Sequence, residues 1–222
     1  MQNPILLAVF AVAAFSFIIF NVVSRLFYKR RHGDKYHFYQ MFPYEFNYPA
    51  VFKENPYGNF LFVFASILIA VFYILNPYDS IYRIMALIAS ILFTMALICL
   101  LMMPLYYLKT HMALSCFAMV LSMVLPLFNL FLALDQRKIA TTDLQSALCL
   151  VSIIFSAILS ASMLILILNP KLTFKIYLEK ELDQDGKEVL KRPKMIFLAL
   201  NKWVAIFIYF LSPIGLLLIS LI

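Results

Sequence analysis

SALCLVSIIFSAILSASMLILILN, residues 146–169, contains no Asp, Glu, Lys or Arg. At about 1.5 Å per residue a helix of this length reaches roughly 36 Å, enough to cross a hydrocarbon core of about 30 Å. Its hydroxyl residues recur every four positions at Ser152, Ser156 and Ser160, with Ala157 and Ala161 beside them. That spacing puts three small side chains on one helix face, where a neighbouring helix can approach closely. A packing seam is the expected role, in preference to the lining of a pore.

Working outward, five further apolar runs of spanning length occupy residues 4–26, 59–76, 84–108, 112–134 and 203–221, uncharged except for Arg25 at the end of the first. Hydrophobic residues make up 64% of the chain, mean hydropathy is +0.93, and only 13% of residues are charged. Those charges gather between the runs and do not cover a water-facing surface, which excludes an ordinary soluble domain. The expected fold is an all-α membrane protein, a single polytopic domain over residues 1–222 built as a bundle of six transmembrane helices. The first run lacks a basic segment ahead of it, and its positive cluster, Arg25 to Arg31, follows it. It reads as a retained first span and not as a cleaved secretory signal.

Cationic loops stay on the cytoplasmic side of a membrane. With the N-terminus outside, the inner segments hold Arg25, Lys29, Arg30, Arg31, Lys35, Lys53, Lys109, Lys171, Lys175, Lys180, Lys187, Lys191, Arg192, Lys194 and Lys202. The outer segments hold only Arg83, Arg137 and Lys138. Both termini are therefore expected outside, the long loops 27–58 and 170–202 in the cytoplasm, and the plasma membrane as the location. The net charge of +7 follows largely from this asymmetry and gives no reason to expect nucleic-acid binding. Lys29, Arg30, Arg31, Lys187, Lys191, Arg192 and Lys194 are candidates for binding a partner protein or anionic lipid headgroups.

The inner loops are unusual. Residues 36–57 carry nine aromatics broken by Pro43, Pro49 and Pro56, a composition suited to the headgroup zone or to the inner ends of the bundle. In the second loop, Thr173 to Glu179 alternates polar and apolar side chains, Asp185-Gly186 offers a tight turn, and Val189-Leu190 resumes. A short cytoplasmic β-hairpin between helices five and six is expected there. Asp183-x-Asp185-Gly186 lacks the remaining ligands of a calcium loop. Lys109-Thr110-His111 alone joins spans three and four, which makes those spans antiparallel neighbours.

Two spans contain helix-breaking residues. Pro126 and Asn129 lie in span four, and Ser212-Pro213 lies in span six. Broken helices line the binding sites of many transporters, so Pro126, Asn129, Ser212 and Pro213 are the candidate ligand pathway. Catalytic and metal-binding signatures are missing: there is no HExxH, no GxSxG, no Walker A motif, and no cysteine pair with zinc spacing. All eleven acids fall outside the six runs, and the interior is expected to be free of ionisable groups. No cofactor and no metal are expected.

These features lead first to a non-enzymatic membrane subunit that binds partner proteins, or a second copy of itself, through its basic loops. The alternative is a carrier or channel for a small neutral or amphiphilic solute. Six spans in this length are similar to the substrate-binding membrane subunits that borrow an ATPase, which would imply a separate energising chain. A lipid-modifying enzyme using Asp79 and Asp135 at the outer interface ranks third.

Overall fold

A computed structural model describes residues 4–33, 37–38, 55–102, 108–168, 179–182, 188–191 and 197–220. Helices α1 (Pro4–His32), α2 (Pro56–Leu75), α3 (Ile81–Met102), α4 (Leu108–Lys138) and α5 (Asp143–Leu168) are followed by α6 (Phe197–Leu211) and α7 (Ile214–Ser220). Among the described residues six helical segments are long and apolar enough to cross a membrane, the last being Ala199–Ser220, which joins α6 to α7. The chain is an integral membrane protein. Strands β1 (Glu179–Leu182) and β2 (Glu188–Lys191) pair antiparallel, with Glu179 opposite Lys191 and Leu182 opposite Glu188. A four-residue ladder adds no layer to the fold, and among the described residues every membrane-spanning segment is helical. The alternating residues 173–178 and the Asp185-Gly186 turn lie outside the described residues.

The last span is the axis of the bundle. It is 72% buried within the protein, against 28% for the first span and 22% for the fifth. An all-round apolar helix is what an interior position requires, and Ala199, Trp203, Ile206, Tyr209 and Phe210 are all in the core. Aromatic stacking fixes its neighbours: Phe17 of α1 lies 4.2 Å from Phe210, and Phe93 of α3 lies 3.9 Å from Tyr209, centroid to centroid. Phe20 and Phe62 stack at 4.2 Å and close α1 on α2. Such pairs supply the packing and dispersion energy that must hold membrane helices together where no water remains to be expelled.

Helix ends follow from local chemistry. Asn55 caps α2, its Oδ1 accepting from Gly58 N at 3.0 Å while its Nδ2 donates to Ser24 Oγ of α1 at 2.7 Å. Pro56 occupies the first turn, where its missing N–H costs nothing. A Cβ on Gly58 would collide with the Asn55 amide and the Ser24 hydroxyl, so this corner needs glycine. Helix α1 continues beyond residue 26 through the basic cluster and closes at Gly33, whose φ of 74° favours glycine. At its far end α2 stops at Asn76-Pro77, and Arg83 Nη1 donates to the carbonyl of Asn76 at 3.2 Å.

Three sequence-based boundaries need correction. The third span is described as helix to Met102, short of residue 108. Helix α4 already begins at Leu108, so Lys109, Thr110 and His111 are helical, and the link between α3 and α4 falls in residues 103–107, outside the described residues. The sixth span begins near Phe197 and not at residue 203, since Phe197-Leu198-Ala199-Leu200 extends the apolar run across Asn201 and Lys202.

Candidate functional site

Three polar clusters sit along the buried axis, each formed where a small or amide side chain on an outer helix meets α6 or α7. Near mid-span, Tyr209 Oη lies 3.1 Å from the Ser66 carbonyl oxygen and 3.3 Å from that of Ser90, either of which takes its proton. Ser66 Oγ donates to Tyr209 Oη at 3.4 Å and shares a 2.9 Å bond with Thr94 Oγ1. The network ties α2, α3 and α6 together through groups that would otherwise be costly in a dry interior.

The second cluster is the helix break. Ser212 and Pro213 separate α6 from α7, and the proline removes one internal hydrogen bond. Asn129 of α4 reaches in from the side, donating from Nδ2 to the Ser212 carbonyl at 2.8 Å and to Tyr73 Oη of α2 at 2.8 Å. A neighbouring helix thus satisfies backbone that the break has freed, the condition for tolerating irregular backbone in lipid. Ser212 Oγ bonds back to Ile208 O at 2.6 Å. Asn129 Oδ1 is buried without a partner. Of the four pathway candidates, the structure joins Asn129, Ser212 and Pro213 at one point. Pro126 is buried one turn away within α4, which runs through it as helix.

The third cluster lies between α5 and α7. Ser152 and Ser156 are fully buried, and a Cβ built on Gly215 would lie 2.7 Å from Ser152 Oγ and 3.3 Å from Ser156 Oγ. Ser160, the third member of the stripe, turns instead to α4 and donates to Met123 O at 3.0 Å.

Lys202 overturns the expectation of an interior free of ionisable groups. It lies within the last span, only 5% exposed, beside a cavity of about 30 Å³ that Ser115, Met119 and Phe93 also line. That volume suits about one water molecule. The sequence signal was available in the apolar tetrad ahead of Asn201-Lys202, which marks the helix as starting earlier.

At the end of the bundle that carries Asp135, a pocket of about 390 Å³ is lined by Tyr78, Gln136, Thr141, Gln145, Cys149 and Ser220 among others. Burial pushes the Tyr78 phenol up to about 12, so it is a neutral hydrogen-bonding group at physiological pH. Gln145 is partly engaged, accepting from Thr141 N at 3.0 Å. Nearby, Asp135 accepts from Ser80 Oγ at 3.2 Å, which anchors the loop between α2 and α3 to α4, and pairs with Lys138 of its own helix at 3.0 Å. Asp79 is exposed.

Among the basic candidates, Lys29 and Arg30 are exposed on the last turns of α1, and Arg31 and Lys191 belong to α1 and β2. Lys187, Arg192 and Lys194 lie outside the described residues. Among the described residues no group of three or more His, Cys, Asp or Glu side chains could hold a metal ion. No known family, curated protein or solved structure matches this chain.

Proposed function

We propose that the protein is a non-enzymatic subunit of a membrane assembly that binds partner proteins, or a second copy of itself, through the basic loops 27–58 and 170–202. The observation that carries this reading is the use made of the polar interior. Tyr209, Ser66, Thr94 and Asn129 all hydrogen-bond from one helix to another, as members of a fixed frame do. The loops would then carry the recognition, with 15 of the 18 Lys and Arg residues in or toward the cytoplasmic side, Lys202 among them within the cytoplasmic end of the last span, and both termini outside, in the plasma membrane. Purification in mild detergent checks it. A partner at fixed stoichiometry should co-elute with the full chain and be lost when Lys187, Lys191, Arg192 and Lys194 are all changed to Gln. A chain recovered alone and monomeric, or a partner retained by that variant, would reject the proposal.

The pocket beside Tyr78, Gln136 and Gln145 favours a second reading, a carrier for a small neutral or amphiphilic solute, energised by a separate ATPase if at all. Its size falls within the range of small-molecule sites, and its lining mixes amide, hydroxyl and apolar groups. Liposomes containing the chain should then take up such solutes, and uptake should fall at least tenfold in Gln136→Leu/Gln145→Leu. Uptake that the double substitution leaves unchanged removes the pocket from the account.

A further inference from the structure

On the opposite flank of the axis, α1 and α6 leave an open apolar groove of about 510 Å³. Its α1 wall is a single helical stripe, Ala14, Ile18, Asn21 and Arg25, spaced four, three and four residues apart. The facing wall is Phe207 and Leu211 of α6 with Ile214 at the start of α7. Ile18 and Leu211 are 59% and 39% exposed, so this surface is covered by the bilayer and not by the protein's own core. Ala14 contributes only a methyl group to the wall, which keeps the groove deep. From Phe10 to Arg25 the α1 wall rises roughly 22 Å, longer than the roughly 15 Å of one leaflet.

The stripe does not end in an apolar residue. Arg25 lies at its end, and Lys29 continues it one turn further on, both exposed. We propose that this groove is a binding site for one anionic phospholipid, whose acyl chain lies between α1 and α6 and whose phosphate meets the Arg25 guanidinium. The guanidinium can hold two phosphate oxygens at once, and Lys29 adds a second positive charge at headgroup depth. Asn21 Nδ2 donates to the Phe17 carbonyl at 2.9 Å, within its own helix, and Arg25 is the one charged residue among those lining the groove. A second copy in the same membrane orientation would set Arg25 and Lys29 of each chain at equal depth, where their like charges repel. The charge pattern therefore selects an anionic lipid over self-association.

Trp203 is the only tryptophan, and its ring lies 6.2 Å from that of Phe207 in the groove wall. The full chain is reconstituted in vesicles of equal parts phosphatidylcholine and phosphatidylglycerol, with bromine on the acyl chains of one lipid or the other. Quenching of Trp203 should show a relative binding constant about fivefold in favour of phosphatidylglycerol, the size expected for a cation at the membrane surface. Arg25→Gln should bring that ratio close to unity. Ala14→Phe, which fills the groove and keeps both cations, should also abolish it. Equal quenching by the two lipids in the unaltered protein would overturn the proposal. So would a preference that survives Ala14→Phe, since that would place the lipid in the general annulus. Cross-linked dimers that vanish in Ala14→Phe, without any lipid preference, would assign the groove to a second copy and reject the lipid. Thermal unfolding of each variant in detergent separates these outcomes from a failure to fold.

Discussion

Asn129→Leu is expected to destabilise the bundle by about 2 kcal/mol, and Tyr73→Phe by only about 0.6 kcal/mol. Asn129 Nδ2 serves two acceptors at 2.8 Å, the Ser212 carbonyl at the helix break and the Tyr73 hydroxyl. Leucine keeps the approximate volume and removes the donor. The Ser212 carbonyl is then left beside the break, and an unsatisfied buried polar group costs about 1–3 kcal/mol. Tyr73→Phe deletes one bond but leaves Asn129 on Ser212, so the cost is that of an average interhelical hydrogen bond in a membrane, about 0.6 kcal/mol. Unfolding in mixed micelles of mild detergent and dodecyl sulfate gives both values. If the two substitutions cost the same, the amide is not what stabilises the break, and the joining of α4 to the α6–α7 turn has been misjudged.

Much of the frame was legible because lipid imposes so simple a demand: long uncharged runs must be helices. The ends were less legible where a proline or a polar pair interrupts the pattern. Pro104 lies two residues past Met102, where the described helix α3 stops inside a longer apolar run, and Lys202 sits inside the sixth span despite its charge. A run defined by the absence of charge places both boundaries wrongly. Lys202 lines the same small cavity as Phe93, Met119 and Ile206 near the end of the span, a setting that composition alone does not reveal.

The polar clusters were half legible for a similar reason. Asn129 and the Ser212-Pro213 break stand out in an apolar background, and the structure places them in contact. Ser66, Thr94 and Tyr209, by contrast, are ordinary residues in three separate runs. They become a network only once α2, α3 and α6 are brought together, and no local spacing carries that information. Nor does the sequence show that the last span is central, since all six runs are apolar around their whole circumference.

The seam between α5 and α7 gives the other large effect. Gly215→Leu is expected to cost about 3 kcal/mol, the upper part of the range for overpacking a closely fitted interior. Already at Cβ, the new side chain would stand 2.7 Å from Ser152 Oγ and 3.3 Å from Ser156 Oγ, so these side chains must yield, and the Ser152 carbonyl at 3.5 Å is already in van der Waals contact before the rest of the leucine is placed. Gly215→Ala is a finer probe, because two opposing terms nearly cancel. The contact with Ser152 Oγ opposes it, while replacing glycine in a helix favours it by up to about 1 kcal/mol. In a Ser152→Ala background the opposing oxygen is gone and the helical gain remains. Gly215→Ala should therefore be close to neutral alone and stabilising when Ser152 is alanine, a non-additivity that only direct contact produces. The same micelle titration measures all four proteins. Strict additivity, or an uneventful Gly215→Leu, would mean that α7 does not rest on the serine face of α5, and that the stripe Ser152, Ser156 and Ser160 has another use.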